Sequence, residues 1–423
     1  MKQTATLALL AGANILVTLL FQWYVITQLG VGIETDALFA GMAVPQLILA
    51  VVSSSLTHVL VPLLASEDDS TSRKDSWAFF LGISGIFTFL ALVLYVTASF
   101  WVRWLVPGFS SAGRALAITL TRIQLVSMIF TASVSVLWSI YHARQRFYWV
   151  EVSALLSNII AIVLLVMLLP VYGVTGAALL IVLRSALQVV WLFPGLGRWQ
   201  WPDWNSPAMK QAWQRIRPLL LGTAYYRTDP LVDRYLASMA PAGGLSLLYI
   251  GQQIYGVANL VAEKAIAAPM VPLLAIKART KNWRDFRRIY QRRLVLMGLL
   301  TLASYALLLL VGERVLSVLI GHGGVTSANV HWLWLIMVAL VGFFVAGAMG
   351  VVTSKTFYAM GDTSTPTRMS IVTYTLYIPA KIFGFYRYGL IGLATVTSAY
   401  LFINLAIQML LLEGYVIPGR ERE

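Results

Sequence analysis

Long apolar stretches separated by short polar ones run the whole length of this chain. A helix crossing the hydrocarbon of a bilayer needs about 20 mainly apolar residues. By that length twelve stretches qualify: Ala5–Leu29, Ala37–Leu64, Trp77–Phe100, Ala115–Tyr141, Val150–Leu169, Gly176–Leu196, Pro218–Leu236, Leu245–Ile276, Leu294–Val311, Val330–Thr353, Ser370–Phe385 and Leu390–Leu412. We call them spans 1 to 12. Span 1 is too long for the core of a secretory signal and is expected to stay in the mature protein.

The basic residues between spans set an orientation, because cytoplasmic loops carry the excess of Lys and Arg. Loops after even-numbered spans hold eighteen, among them Arg73, Lys74, Arg144, Arg146, Lys210, Arg215 and Arg217 and the run from Lys277 to Arg293. Loops after odd-numbered spans hold four: Arg103, Arg114, Arg314 and Arg387. Both termini are therefore expected on the cytoplasmic side. The basic loop at 277–293 also offers a surface for anionic lipid headgroups.

The pattern repeats. Val61-Pro62-Leu63-Leu64-Ala65 closes span 2 and Val271-Pro272-Leu273-Leu274-Ala275 closes span 8, an offset of 210 residues in a chain of 423. Each half then holds six spans. We expect an all-α integral membrane protein of two six-helix lobes around a central cavity, with residues 1–197 as the N-terminal lobe, 198–217 as a cytoplasmic linker and 218–423 as the C-terminal lobe. Duplicated halves of this kind are known in transporters.

Composition agrees. Only 11% of residues are charged and 59% are hydrophobic, whereas soluble domains carry about 25% charged residues. With no cysteine, thiol chemistry and Cys-ligated metals are excluded. His58, His142, His322 and His331 are far apart and form no ligand pair, and no phosphate-binding glycine motif occurs. No cofactor, metal or enzyme activity is expected. The net charge of +14 reflects basic loops rather than nucleic acid.

The informative residues are polar ones inside spans, where an ionised group costs about 2.5–3.5 kcal/mol. Several lie at steps of three or four, on one helix face. Span 1 has Asn14, Thr18 and Gln22; span 4 has Ser127, Thr131 and Ser135; span 8 has Gln252, Tyr255, Asn259 and Glu263; span 11 has Thr373, Tyr377 and Lys381. Such stripes either bond helix to helix or line a wet cavity. Span 7 is densest in charge, with Arg227, Asp229, Asp233 and Arg234 around Pro230. Two carboxylates one turn apart resist joint ionisation without a cation or proton, and Pro230 is expected to kink the helix. Glu263 and its neighbour Lys264 point about 100° apart and should not pair with each other.

The motif Gly30-Val31-Gly32-Ile33-Glu34-Thr35-Asp36-Ala37-Leu38-Phe39, with Pro45 and Val61-Pro62, resembles the first signature of the MviN/MurJ lipid II flippases. Pro107-Gly108-Phe109, Leu231 to Ser238, and Phe357-Tyr358-Ala359-Met360-Gly361-Asp362-Thr363-Ser364-Thr365-Pro366 follow in the same order. The last also reads as a turn, with Gly361 ending one helix in a left-handed conformation and Thr365 capping the next. The resemblance implies the fold of the wider MOP exporter superfamily, with MATE-like lobes. It implies a bacterial inner-membrane flippase that moves a polyprenyl-pyrophosphate-linked saccharide by alternating access, in peptidoglycan biosynthesis or polysaccharide export. The family's pyrophosphate-holding arginines fall on Ile15, Phe21, Leu49 and Gln252 here, all uncharged. The two additional C-terminal helices of many members are expected to be missing.

Candidate substrate-binding residues are therefore Arg227, Gln252, Asn259, Lys264, Lys381, Asn14 and Gln22. Asp229, Asp233 and Glu263 are the candidates for coupling to a proton or sodium gradient. A monomer is expected. An ion-coupled multidrug antiporter of the same superfamily and a non-transporting membrane scaffold are the competing readings.

Overall fold

The computed structural model describes residues 2–65 and 69–416. Its described secondary structure is wholly helical, and each of the twelve spans falls on one helix or on two that are adjacent or joined by a short turn. The helices pack into two compact units, Met1–Gly243 and Gly244–Glu423.

In the first unit, α1 (Lys2–Leu29) stops at Gly30, whose φ of 77 is left-handed. After it, α2 (Ile33–Gly41) starts where Thr35 Oγ1 accepts from Gly32 N at 3.1 Å. Next come α3 (Ala43–Ala65), α4 (Asp69–Leu105) and α5 (Ser111–Ala143). Helix α5 is capped by Ser110, which accepts from Gly113 N at 3.2 Å. It packs on α3, α4 and α6 (Phe147–Leu192) and so forms the centre of the unit. As a single rod the 46-residue α6 would be about 69 Å long, twice the hydrocarbon thickness. Gly173 (φ 52, ψ −142) interrupts it, and Trp149 Nε1 donates to Trp191 O at 3.1 Å. A bond across 42 residues requires the helix to double back, so α6 is the hairpin of spans 5 and 6.

Span 7 differs from a single kinked helix. Helix α7 (Pro207–Ala224) starts eleven residues before the predicted span and is followed by a 3-10 turn, Tyr226–Thr228; α8 (Asp229–Ala237) then begins with Pro230 in its first turn. There a missing N–H costs nothing. The start of α7 escapes a hydropathy search because it is amphipathic: Ala208, Ala212 and Ile216 are buried while Lys210, Arg215 and Arg217 are exposed.

The motif glycines explain why the chain to residue 243 stays with this unit. A Cβ on Gly108 would stand 2.3 Å from Ser238 O, so only glycine admits the backbone after α8. Gly243 N donates to Asp36 Oδ2 at 2.7 Å, with Asp36 2% exposed. These family-like residues hold backbone together.

The second unit holds spans 8 to 12 and repeats the plan of spans 2 to 6. It comprises α9 (Gly244–Ala262), a π-helical turn Glu263–Ala267, α10 (Met270–Arg279), α11 (Trp283–Ile320), α12 (Ser327–Ala339), α13 (Val341–Ala359) and α14 (Ser364–Leu411). Helix α14 is interrupted by Gly389 (φ 61, ψ −145), nearly the torsions of Gly173. Asn404 Nδ2 donates to Thr373 Oγ1 at 2.8 Å, so α14 is the hairpin of spans 11 and 12. Helix α13 packs on α11 and α14 as α5 does on α4 and α6. Among the described residues eight helices are apolar and long enough to span, and the pair α9–α10, bent by 41°, makes a ninth. Dividing the two hairpins gives eleven, and span 7 is the broken remainder. Outward faces carry Phe89, Val96 and Phe100 on α4 and Leu310 and Val318 on α11, all exposed, as a lipid-facing surface requires.

One local expectation is corrected. Gly361 does end α13 in a left-handed turn (φ 81), but the cap of α14 is Asp362, not Thr365. Its Oδ1 accepts from Ser364 N at 3.1 Å and from Thr365 N at 2.9 Å. A carboxylate reaches two free N–H groups and also suits the positive end of the helix dipole.

Candidate functional site

Most of the polar stripes are taken up by hydrogen bonds, between helices or back to carbonyls of their own helix. On α1, Asn14 Nδ2 donates to Glu151 Oε2 at 2.9 Å, and Asn14 Oδ1 accepts from Asn158 Nδ2 at 3.3 Å. Glu151 is therefore a partner inside the unit. Thr18 bonds back to Asn14 O, and Gln22 is half-buried. On α5, Thr131 and Ser135 bond to carbonyls one turn back, while Ser127 meets Ser185 at 3.1 Å. On α9, Tyr255 Oη donates to Met337 O at 2.9 Å and Asn259 Nδ2 to Phe343 O at 3.1 Å, and Gln252 is half-buried.

Around the break at Arg227, the charges do not behave alike. Arg227 is exposed and Asp229 half-buried at the first position of α8, whereas Asp233 and Arg234 are 2% and 4% exposed. Asp229 gains from the helix N-terminus, where a negative charge is favoured.

What remains is a cavity of about 360 Å³ within the second unit, lined from the π-helical turn, α13 and α14. Glu263 Oε1 and Lys355 Nζ pair across it at 2.7 Å. Lys264, next in sequence, is exposed and takes no part in this pair. Behind the pair, Gln408 Oε1 accepts from Thr353 Oγ1 at 2.9 Å and from Ser354 Oγ at 3.0 Å. Gln408 Nε2 donates to Asn404 Oδ1 at 2.6 Å, and Asn404 in turn donates to Thr373. The chain of amides fixes each donor and acceptor, so the floor of the cavity is preorganised. Tyr400 adds an aromatic wall, stacked on Tyr377 at 4.3 Å between centroids. Lys381 is fully buried with its Nζ 4.8 Å from the Tyr377 ring centroid, within cation–π reach.

Sequence reading missed Lys355, Asn404 and Gln408. Ending span 10 at Thr353 placed Lys355 in a loop, yet α13 continues to Ala359. Asn404 and Gln408 lie four apart in span 12, a spacing the stripe search could have caught. The arrangement offers a cation, a carboxylate, amides and aromatic rings around an open volume. Such a set suits a polar, hydroxyl-rich or anionic ligand. It holds no nucleophile–base pair.

A family model described as lipid II flippase MurJ matches residues 25–416. This chain belongs to the MurJ family. The probable lipid II flippase MurJ of Vibrio cholerae is 22% identical over 403 residues, covering 90% of this chain and 76% of that one. The protein of the same description from Buchnera aphidicola is 20% identical over 406 residues, covering 91% and 78%. Among solved structures, a lipid II flippase MurJ in an inward closed conformation superposes with a TM-score of 0.83 at 18% identity, over 98% of this chain and 89% of that one. An inward-facing MATE-family multidrug resistance transporter of the MOP superfamily gives 0.81 at 15% identity, over 97% and 96%. The two likenesses establish a fold common to MurJ and MATE proteins. Within that MurJ fold, Ile15, Leu49 and Gln252 are half-buried and Phe21 is buried.

Proposed function

We propose that this protein moves a polyprenyl-pyrophosphate-linked saccharide, lipid II or a related cell-envelope glycolipid, across the cytoplasmic membrane by alternating access. Membership of the MurJ family over residues 25–416 is the observation that carries the reading. The spans supply the membrane scaffold, and the loop charges favour both termini on the cytoplasmic side. The protein acts as a transporter without chemical turnover of its lipid, and as a monomer.

The polar cavity of the second unit takes part in holding the head of the substrate. Lys355 supplies a cation that partly replaces the arginines absent at Ile15, Phe21, Leu49 and Gln252. Asn404 and Gln408 hold the polar floor, and Tyr400 offers a face for a sugar ring. A lysine gives point-charge attraction rather than the bidentate grip of arginine, so binding should rely more on hydroxyls and amides. Arg227, Lys264 and Lys381 remain further cation candidates, as Gln252, Asn259, Asn14 and Gln22 remain polar ones. Asp229, Asp233 and Glu263 remain the candidates for proton or sodium coupling. Among them Glu263 is the best placed, since protonating it would release Lys355.

The test uses proteoliposomes loaded with a fluorescent lipid-linked saccharide and a reagent that reports its leaflet. Lys355→Met should slow transport by tenfold or more, about the weight of one charge-assisted contact. Glu263→Lys combined with Lys355→Glu should recover part of it. Full-rate transport by Lys355→Met would remove the cavity from the mechanism. Transport of a cationic drug with none of the glycolipid would replace the substrate class with that of the antiporters.

A further inference from the structure

A second cavity, of about 340 Å³, lies in the first unit between α3, α4 and α7, and its lining exposes no polar area. Val52 and Leu56 form one wall, Gly82 and Ile86 another, and Ala212 with Ile216 of α7 the third. Trp204 lies over Gly82, 3.2 Å from where a Cβ would stand, and closes one end. Water gains nothing in such a space, having no polar partners. An apolar chain fits it.

The edge of the cleft is built differently. Trp204 and Trp213 of its lining are more than half exposed, as are Trp199 and Trp201 just before them in the chain, and tryptophans collect at the depth of lipid headgroups. On α7, Lys210 and Arg217 lie seven residues apart, two helical turns, about 100° round the helix from the cleft-lining Met209, Ala212, Trp213 and Ile216 and on the Trp213 side; both are exposed. No Asp or Glu occurs between Pro207 and Arg217. Asp75, one turn before Ala78 on α4, is 1% exposed and puts no negative charge at the surface.

We propose that this cleft is a binding site for one anionic phospholipid of the bilayer, with an acyl chain between α3, α4 and α7 and its phosphate against Lys210 and Arg217. The bound chain fills the apolar volume and fastens α7 to the first unit. The site is separate from the polar cavity of the second unit and does not depend on what the protein transports.

Native mass spectrometry of the full chain tests it, with phosphatidylglycerol and phosphatidylcholine offered separately at equal concentration. The protein should retain one phosphatidylglycerol and release phosphatidylcholine at much lower collision energy. Replacing both surface cations, Lys210→Gln with Arg217→Gln, should weaken phosphatidylglycerol retention about thirtyfold, since each charge near a membrane surface counts for about fivefold. Ile86→Trp, which narrows the cleft from an exposed wall position (58%), should reduce retention of both lipids. Unchanged melting of lipid-free variants establishes that each is folded. Equal retention of the two lipids would overturn the proposal, as would indifference to both variants. Displacement by an equal concentration of undecaprenyl phosphate would also overturn it, assigning the cleft to an isoprenoid instead.

Discussion

The hairpins α6 and α14 are the same backbone put to different uses. Both reverse at one glycine, with torsions of 52 and −142 at Gly173 and 61 and −145 at Gly389. Inside α6 the buried polar residues are small: Ser153 and Ser157 bond only to carbonyls of their own helix. Inside α14 Thr373, Asn404 and Gln408 bond from arm to arm and on to α13, and Tyr377 meets Thr397 at 2.7 Å. The two reversals share a backbone and differ in the polar side chains they carry. Between its arms the first hairpin has the Trp149–Trp191 bond at the open end and close packing of small residues elsewhere. The second is held by a network in which each amide has a fixed direction.

That contrast can be broken most forcefully at Gln408. Gln408→Leu removes the acceptor for Thr353 and Ser354 and the donor to Asn404, and should destabilise by about 2–4 kcal/mol. The matching change in the first hairpin, Ser157→Ala, should cost under about 0.5 kcal/mol. Thermal melting in one detergent compares them, and equal losses would dissolve the distinction. At the hinges the two units should instead agree. Neither glycine has a neighbour within 4 Å of a built Cβ, so Gly173→Ala and Gly389→Ala carry backbone strain alone, about 1–3 kcal/mol each. A difference above about 1 kcal/mol between them would mean the reversals are not equivalent.

The smallest effect separates two caps. Ser110→Ala at α5 should cost about 1 kcal/mol at any pH. Asp362→Ala at α14 should cost a similar amount at neutral pH, but with a pH dependence. Burial pushes the Asp362 carboxyl up, while the bonds from Thr365 and Ser364 outweigh it and hold the group below the ordinary 3.8. A carboxyl lowered on folding contributes above its unfolded value and loses that contribution as pH falls through the folded one. The excess stability of wild type over Asp362→Asn should therefore begin to decline below about pH 4 and disappear only once the pH is under the folded value, which lies below 3.8. A pH-independent difference would show that Asp362 acts as a neutral cap.

Hydropathy and length made the spans legible, because the bilayer imposes one scale on every crossing helix. The one-residue reversals within the α6 and α14 segments were also visible as short gaps. Three features were not. The start of α7 reads as a linker because its charges dominate a window average, although Ala208, Ala212 and Ile216 are spaced as a buried face. Lys355 was assigned to a loop because a charged residue truncates a hydropathy span, yet Glu263 compensates it from another helix. The stripes of α1 and α5 were legible as stripes, but sequence cannot tell whether a serine faces water or a carbonyl one turn back. The basic run at 277–293 is similar. Helix α11 already begins at Trp283, and Lys277 pairs with Asp285 at 2.6 Å and Arg287 with Glu413 at 2.6 Å.

A reversal made by one glycine leaves no slack. The arms of α6 cannot slide past each other without breaking Trp149 from Trp191, and those of α14 are cross-stitched at Thr373 and Tyr377. Each ties its two arms closely together, with Val171 and Tyr172 at one tip and Tyr386 and Tyr388 at the other left exposed. Any rearrangement during a working cycle must therefore be absorbed where the backbone already yields: at the gap between α7 and α8, and at the π-turn below α9.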